Sequence, residues 1–571
     1  MFRIATVQKN PGFGPLAALR IFDRLCVTLV RNPGFFSRGA LAGKRPIHNY
    51  PALLLMLLSI ALFTPPALAK RDDVRVAVTA LPTVSAPVAV TPTSRPFLGA
   101  AEAMAKAGYI EEEYFLSGTA NTYDWSGKGH GVKVIAGPGK YVTRILVRRP
   151  RDAKRFGGNI EVTVLNASLN VDTGGPTDFA QMAKQGDVWI GITTKASTAK
   201  ALKKFDPVRY AVIDWSNPAP PEKRCANPTM IPPYMAGGKQ VIEAMAKAGI
   251  KNSWPEYEDG LVWDMLGQLG LLLKSDARES ILPGFAKPHV FMTGFSQSSI
   301  YIRTFVAGFH DRYRDRDGKP VYDGYLAIVG PAMIRINQCA KDIELEDAFQ
   351  KLTPPDVPFI SLSSEGEMWQ ARYTQQPDAF TRRGGIVSYE LAGTSHSRAD
   401  YPGASPDLLS RPSTEDLAKA GMNWPAAPSG MAKDGTMPND LPWAPVLRGA
   451  YRNLVLWSRK GIRPPQSAGI ALDAKLEISR NSNGNAIGGV RSPYIDAPTA
   501  THTGYLTAGG MGGISGKKKP FTPEQLKALY PDQATYLAEF SASVDRLLKS
   551  RWISKEDAEA MKAAARKSPP L

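Results

Sequence analysis

Short apolar stretches with strand propensity alternate with helical stretches between residues 141 and 400 of this 571-residue chain. The predicted strands are 141–148, 160–165, 188–193, 289–293, 324–329, 358–363 and 386–391, and the predicted helices among them are 179–184, 238–247, 261–274 and 297–310. Strands that are joined through helices run parallel, and a parallel sheet needs helices on both of its faces. The pattern therefore predicts an α/β fold with a mostly parallel central sheet flanked by helices.

The rest of the chain is assigned to segments around this core, which spans 141–400. Residues 70–140 are predicted to form an N-terminal extended segment, and residues 200–258 an insertion that begins Pro-rich and serves as a cap. Residues 401–571 are predicted to be a loop- and helix-rich C-terminal region that packs on the core. Its predicted helices are 444–460, 533–549 and 555–567, and together with the insertion it is expected to roof a pocket.

The first 69 residues contain the parts of a secretory signal peptide. An apolar stretch at 52–63 follows Lys44 and Arg45 and precedes the small-residue motif at 67–69. It is too short to span a bilayer, which takes about 20 residues. We therefore expect cleavage after Ala69, a periplasmic or secreted product, and no stable membrane span in the mature chain. An uncleaved apolar helix is the alternative.

Export would leave two cysteines in an oxidising compartment, Cys225 and Cys339. A disulfide between them is a possible pairing, and two free buried thiols fit the sequence equally well. Three cysteines in the whole chain are too few for a four-thiolate zinc site.

Several other function classes lack support in the sequence. The net charge is +18, but the basic residues are scattered, and the one tight cluster, 517–519, is predicted to be a solvated loop rather than a nucleic-acid site. Phosphate-loop, dinucleotide, H-E-x-x-H and C-x-x-C motifs are absent. We therefore expect no cofactor, no metal and no nucleic-acid partner.

A serine lies at the apex of a predicted strand–turn–helix unit. Strand 289–293 leads into Gly294-Phe-Ser-Gln-Ser298, and a helix follows. A nucleophile elbow has this arrangement, with small residues two positions before and after the serine because the turn is strained. Gly294 meets the first requirement, and Ser298 replaces the usual glycine at the second. Ser296 is thus the candidate nucleophile, with a serine-capped turn as the alternative.

A serine nucleophile needs a general base. In folds that carry a nucleophile elbow, the order along the chain is serine, acid, histidine. Three histidines follow Ser296. His396 lies in a Gly-containing loop after the last predicted strand and is the preferred base, with His502 as second choice. His310 lies about four turns along the helix that leaves the elbow and is expected to point elsewhere.

The acid is expected in the loop after strand 358–363, where the chain reads Ser-Glu-Gly-Glu. Either Glu367 or Glu365 could orient the histidine and stabilise the imidazolium, and Glu367 is preferred because it lies further into the loop. Asp378 and Asp400 are weaker candidates.

An oxyanion hole needs two N–H donors that point at the tetrahedral oxygen. The backbone of Gln297, directly after the serine, is predicted to supply one. The loop after strand 160–165 should supply the other, from Asn166 or Ala167.

Several stretches together resemble the bacterial "alpha/beta hydrolase domain-containing" family. They spread over roughly 95–570 and are 108–114, 117–123, 205–210, 261–264, 293–298, 336–339, 376–378, 390–396, 484–485 and 488–491. The resemblance implies an α/β-hydrolase fold with Ser296 as nucleophile and His396 as base, and it carries the acid role, often Asp in the family, onto Glu367. A resemblance to tannases and feruloyl esterases is weaker. Those enzymes flank the catalytic Ser and His with paired cysteines, and Ser296 and His396 have no such cysteines beside them.

These features predict a serine hydrolase that cleaves a small-molecule or polymeric ester through an acyl-enzyme intermediate. An amidase, a lactonase or a polyester hydrolase could use the same groups. A non-catalytic envelope-binding protein on a hydrolase scaffold is the alternative from another class. The sequence leaves the oligomeric state open.

Overall fold

The computed structural model describes residues 81–167, 170–174, 179–225, 255–396, 412–422, 431–432, 434–505, 516–568 and 570. These residues belong to one compact unit, Val74–Leu571. The predicted leader with its cleavage position, and residues 226–254 of the predicted insertion, lie outside the described residues.

A ten-stranded sheet forms the centre of the described structure. Its strands are β1 Thr83–Val84, β2 Tyr109–Trp125, β3 Val132–Pro150, β4 Asn159–Val164, β5 Val188–Ile192, β6 His289–Phe295, β7 Gly324–Ile328, β8 Pro358–Ser364, β9 Ala379–Phe380 and β10 Gly385–Leu391. Their order across the sheet is β1-β2-β3-β5-β4-β6-β7-β8-β10-β9. Strands β5, β4, β6, β7, β8 and β10 are parallel, and the antiparallel pairs lie towards the two edges. The predicted α/β fold with a mostly parallel sheet is confirmed.

Helices cover both faces of this sheet in the described ranges. They are α1 Ala101–Lys106, α2 Phe179–Gln185, α3 Ala196–Phe205, α4 Val262–Lys274, α5 Gln297–Gly308, α6 Met368–Thr374, α7 Thr414–Lys419, α8 Ala444–Lys460, α9 Pro493–Asp496, α10 Pro523–Leu529, α11 Gln533–Lys549 and α12 Lys555–Lys567. None of these helices is long and apolar enough to cross a membrane.

Alternate side chains of β6 enter different cores, because successive side chains of a strand point to opposite faces of a sheet. Val290 and Met292 are buried in the core that includes α4 and α5. Phe291 and Phe295 are buried in the core that includes α8, α11 and α12. The strand that leads to Ser296 is therefore fixed from both sides.

The predicted extended segment 70–140 contains a helix, α1, and strand β2, which forms a long antiparallel hairpin with β3. Of this hairpin, the sequence pattern predicted only residues 141–148 of β3. Strand β2 carries three successive glutamates, and glutamate is depleted in strands, so its pattern does not indicate one. Each glutamate pairs with an arginine of β3: Glu111 with Arg148, Glu112 with Arg149 and Glu113 with Arg144. The hairpin is thus held by cross-strand ion pairs.

The lysine cluster at 517–519 also differs from the sequence prediction, which made it a loop. It forms β13 (Lys517–Pro520), the middle strand of a small sheet with β11 (Met437–Pro438) and β12 (Ala500–Thr503). Lys517 pairs with Asp434, and Lys518 pairs with Asp440. Pairing with neighbouring strands makes these lysines part of a sheet although their own residue type does not favour one.

A disulfide joins Cys225 to Cys339, with Cα atoms 5.5 Å apart. Cys225 follows a short 3₁₀ helix at Pro221–Lys223, and Cys339 lies in the loop after β7. The bond closes a loop across 114 residues of sequence and thereby ties the predicted insertion to the core.

A buried network of charges fastens the hairpin to the core. The fully buried Arg144 contacts Glu113 and lies 3.3 Å from the Oδ2 atom of Asp172. Glu113 also accepts hydrogen bonds from Arg209 Nε at 2.5 Å and from the Tyr210 hydroxyl at 2.9 Å. Because a buried charge without its partner is costly, the network holds β2, β3 and the loop after β4 in one arrangement.

We predict that Arg144→Met lowers the free energy of unfolding by about 3–5 kcal/mol, because it leaves Glu113 and Asp172 without one of their buried partners. Urea denaturation measures the change. Lys106→Met is the matched control, because Lys106 pairs with Glu102 on the surface, and it should leave the midpoint unchanged. Equal midpoints for the Arg144 variant and the wild type would contradict this account.

Candidate active site

Ser296 lies at a sharp turn between β6, which ends at Phe295, and α5, which begins at Gln297. Its φ and ψ angles are 57° and −122°, a conformation that costs a non-glycine residue free energy and is typical of functional sites. The Ser296 amide donates to the Ile328 carbonyl of β7 at 2.8 Å, and the Ser296 carbonyl accepts from the Ser299 amide at 2.9 Å. The turn is therefore anchored to the neighbouring strand and to the new helix.

The two small residues around Ser296 are required by close packing. A Cβ atom on Gly294 would lie 2.7 Å from the Ser298 carbonyl oxygen, which is too close for any side chain. Ser298 is fully buried, and its hydroxyl donates to the Leu165 carbonyl at 3.0 Å. A hydroxyl therefore fits where the elbow pattern usually has glycine, because its polar atom has a partner.

His396 follows β10 and contacts Glu367. The distance between His396 Nδ1 and Glu367 Oε1 is 2.5 Å, and the two side chains are 13% and 2% exposed. The second oxygen of Glu367 accepts from the Ser364 amide at 2.7 Å, which fixes the carboxylate. The imidazole packs against the Phe295 ring with centroids 5.4 Å apart, so it lies beside the residue that precedes Ser296.

The two predicted second donors to an oxyanion differ in their contacts. The Asn166 amide donates to the Thr173 carbonyl at 2.9 Å, and its side-chain Nδ2 donates to the Phe295 carbonyl at 2.5 Å. Within the described ranges the Ala167 amide donates to no backbone carbonyl. Asn166 thus braces the loop against the elbow, and its own amide is occupied. The Gln297 amide opens α5, where the first N–H groups of a helix have no partner within the helix.

A family model described as an alpha/beta hydrolase domain matches residues 84–563. The chain belongs to this alpha/beta hydrolase family. The family resemblance that the sequence predicted is confirmed, and membership supports a hydrolase activity.

Solved structures of this alpha/beta hydrolase fold show low similarity to the chain. An alpha-beta serine hydrolase homologue from Coxiella burnetii is 10% identical, over 46% of this chain and 86% of that chain, with a TM-score of 0.20. A putative dienelactone hydrolase from Klebsiella pneumoniae is 11% identical over 54% and 98%, and a glucuronoyl esterase from Teredinibacter turnerae is 7% identical over 55% and 74%, each with a TM-score of 0.22. No curated protein matches the sequence significantly.

Glu365 has a different environment from Glu367, although it is only two residues away. Its Oε2 atom accepts from the Gly393 amide at 2.7 Å, and its Oε1 atom accepts from Arg480 Nη2 at 2.7 Å and from the Gly504 amide at 3.0 Å. Its side chain is fully buried. Glu365 therefore fastens the loop that carries His396 to the C-terminal region, a function that residue type and position did not reveal.

The other histidines considered as bases lie in different surroundings. His310 contacts the Tyr325 hydroxyl at 2.9 Å and Asp356 at 2.7 Å. His502 lies in β12 with its Nδ1 atom 3.2 Å from Asn439 Oδ1, and burial lowers the pKa of its imidazole to about 4. Among the described residues, no group of three or more His, Cys, Asp or Glu side chains is placed to hold a metal ion.

Proposed function

We propose that this alpha/beta hydrolase is a serine esterase that forms an acyl-enzyme with Ser296. The observation that carries the proposal is the strained Ser296 turn together with the His396–Glu367 pair, whose imidazole packs on the ring of Phe295, the residue before Ser296. Ser296 attacks the acyl carbon, His396 accepts the hydroxyl proton and then protonates the leaving alcohol, and Glu367 orients the imidazole. Water hydrolyses the acyl-enzyme by the same route in reverse.

The contact between His396 and Glu367 determines which ring nitrogen faces the reaction. A carboxylate next to Nδ1 favours the tautomer with a proton on that atom, because Nδ1–H then donates to Glu367 Oε1. The Nε2 atom is left with a lone pair, which can accept the serine proton. When the ring becomes an imidazolium, the adjacent buried carboxylate stabilises its charge.

The negative charge of the tetrahedral intermediate is accommodated by backbone groups. The Gln297 amide at the start of α5 and the Ala167 amide in the loop after β4 are the two proposed donors. The N-terminal end of α5 adds the positive end of a helix dipole at the same place. Because the turn and the loop are fixed before the reaction begins, none of these donors has to move during it.

Ser296→Ala should lower the turnover of p-nitrophenyl acetate by roughly 10⁵- to 10⁶-fold, because the nucleophile is lost. Initial rates and labelling by a fluorophosphonate probe measure the effect, with matched ester, amide and lactone substrates to define the bond that is cleaved. Ser216→Ala, at an exposed serine that bonds Asp214, is the control and should behave like the wild type. Unchanged turnover in the Ser296 variant would refute the proposed function.

Glu367→Gln and Glu365→Gln should have different effects because only Glu367 contacts the imidazole. We expect kcat to fall on the order of 10⁴-fold for Glu367→Gln, as the wrong tautomer is favoured. Glu365→Gln should chiefly lower the free energy of unfolding, by about 2–3 kcal/mol, because hydrogen bonds to a buried charge are weakened. Steady-state kinetics and urea denaturation separate the two. A larger loss of kcat in the Glu365 variant would reverse the assignment.

We further propose that the enzyme acts in the periplasm or outside the cell. The signal-like leader supports this, and the Cys225–Cys339 disulfide is typical of oxidising compartments. When the full chain is expressed in a Gram-negative host, the exported protein should begin at Lys70. N-terminal sequencing after cell fractionation measures this, and an Ala69→Arg variant should remain uncleaved. A chain that keeps its leader in the cytoplasm would contradict the proposal.

A further inference from the structure

A fully buried lysine contacts both segments that carry the proposed oxyanion donors. Lys195 lies at the start of α3, after β5, and has no exposed surface. Its Nζ atom donates to the Leu165 carbonyl at 2.6 Å and to the Ser298 hydroxyl at 2.9 Å. The Ser298 hydroxyl in turn donates to the same Leu165 carbonyl at 3.0 Å. The ammonium, the hydroxyl and the carbonyl therefore form a closed triangle.

This triangle joins the loop after β4 to the first turn of α5. Leu165 lies two residues before Ala167, and Ser298 follows Gln297 directly. The positions of the Ala167 and Gln297 amides relative to each other thus depend on the contact between Leu165 and Ser298. Misplacing a catalytic group by about 1 Å can cost 10²-fold in rate.

The surroundings of Lys195 are charged as well as apolar. Asp172 and Asp259 are the carboxylates whose charges act on it, and the Tyr301 ring of α5 lies 4.6 Å from Nζ. Asp259 itself accepts from the Ala196 amide at 3.0 Å. Burial lowers the pKa of the Lys195 amine to about 7, and the two carboxylates oppose this shift. Burial of a lysine costs free energy. Lys195 is buried where it contacts both segments that carry the proposed donors.

We propose that Lys195 is a positioning residue that sets the distance between the Gln297 and Ala167 amides so that both bind the tetrahedral oxyanion. The inference rests on the proposed function. Lys195 acts through Leu165 and Ser298, because it is fully buried and its Nζ atom contacts these two residues.

Because its Nζ atom contacts the Ser298 hydroxyl, Lys195 has a second conceivable role, in which it is the general base and Ser298 is the nucleophile. The complete burial of Ser298 and its bond to the Leu165 carbonyl argue against that role. A variant of Ser298 therefore distinguishes the two: loss of a positioning contact lowers the rate in part, whereas loss of a nucleophile abolishes it.

The test compares Lys195→Met and Ser298→Ala with the wild type in ester hydrolysis. Both should lower kcat by roughly ten- to a hundredfold, less than the loss of a whole oxyanion donor, while KM changes by no more than about twofold. The inhibition constant of phenylboronic acid, which forms a tetrahedral adduct with a nucleophilic serine, should rise in parallel with the loss of kcat. A purely structural effect would not separate kcat from KM in this way.

Lys200→Met is the matched control, because Lys200 lies on the same helix and pairs with Glu256 at the surface, with Nζ and Oε1 2.6 Å apart. It should retain wild-type kcat. Circular dichroism checks folding, and if Lys195→Met does not fold, Ser298→Ala decides the matter alone.

Wild-type kcat in the folded variants, or a rise in KM with kcat unchanged, would overturn the positioning role and leave the proposed function intact, since that function depends on the Ser296 variant. An inactive Ser298→Ala beside an active Ser296→Ala would overturn both.

Discussion

The strained turn at Ser296 is the constraint around which the site is built. A serine at φ 57° is held only because the neighbouring strand accepts its amide hydrogen bond and because Gly294 lets the Ser298 carbonyl approach closely. Parallel strands bring their carboxyl ends to one edge of the sheet, so the loops after β4, β6, β8 and β10 meet there. These four loops carry Ala167, Ser296, Glu367 and His396. The proposed chemistry thus depends on a sheet that fixes four separate segments.

Two glutamates in one short turn make different contacts, because the turn directs their side chains to different partners. Glu365 and Glu367 both lie in the 3₁₀ turn that follows β8, and both are buried. The turn directs Glu367 to the imidazole and Glu365 to the backbone amides of Gly393 and Gly504. In the proposed mechanism one carboxylate orients the base, while the other holds the loop from which His396 projects. Their different contacts make kinetic and stability measurements complementary.

Buried charge is concentrated around the loops that support the proposed oxyanion site. Arg144 of the hairpin contacts Asp172 in the loop after β4, and the Thr193 hydroxyl, just after β5, also donates to Asp172. Asp172 in turn acts on Lys195, whose amine contacts Leu165 and Ser298. Each of these groups interacts with another from a different segment, so displacement of one segment leaves a charge unpaired at high cost. Such a network favours one arrangement of the loops over others.

The sequence by itself determined the elements whose pattern is strong and local. The helices predicted at 444–460, 533–549 and 555–567 have the bounds of α8, α11 and α12, and the strand, serine and helix of the elbow were evident from residue order. Strand β2 was missed because glutamate is depleted in strands and β2 carries three in succession. The arginines that pair with these glutamates belong to another strand, β3. The tertiary structure alone decided that Glu367 contacts His396, that the Asn166 amide is occupied, and that Lys195 joins two loops. Each of these facts is a distance between groups far apart in the chain, and such distances are set by packing rather than by local residue preferences.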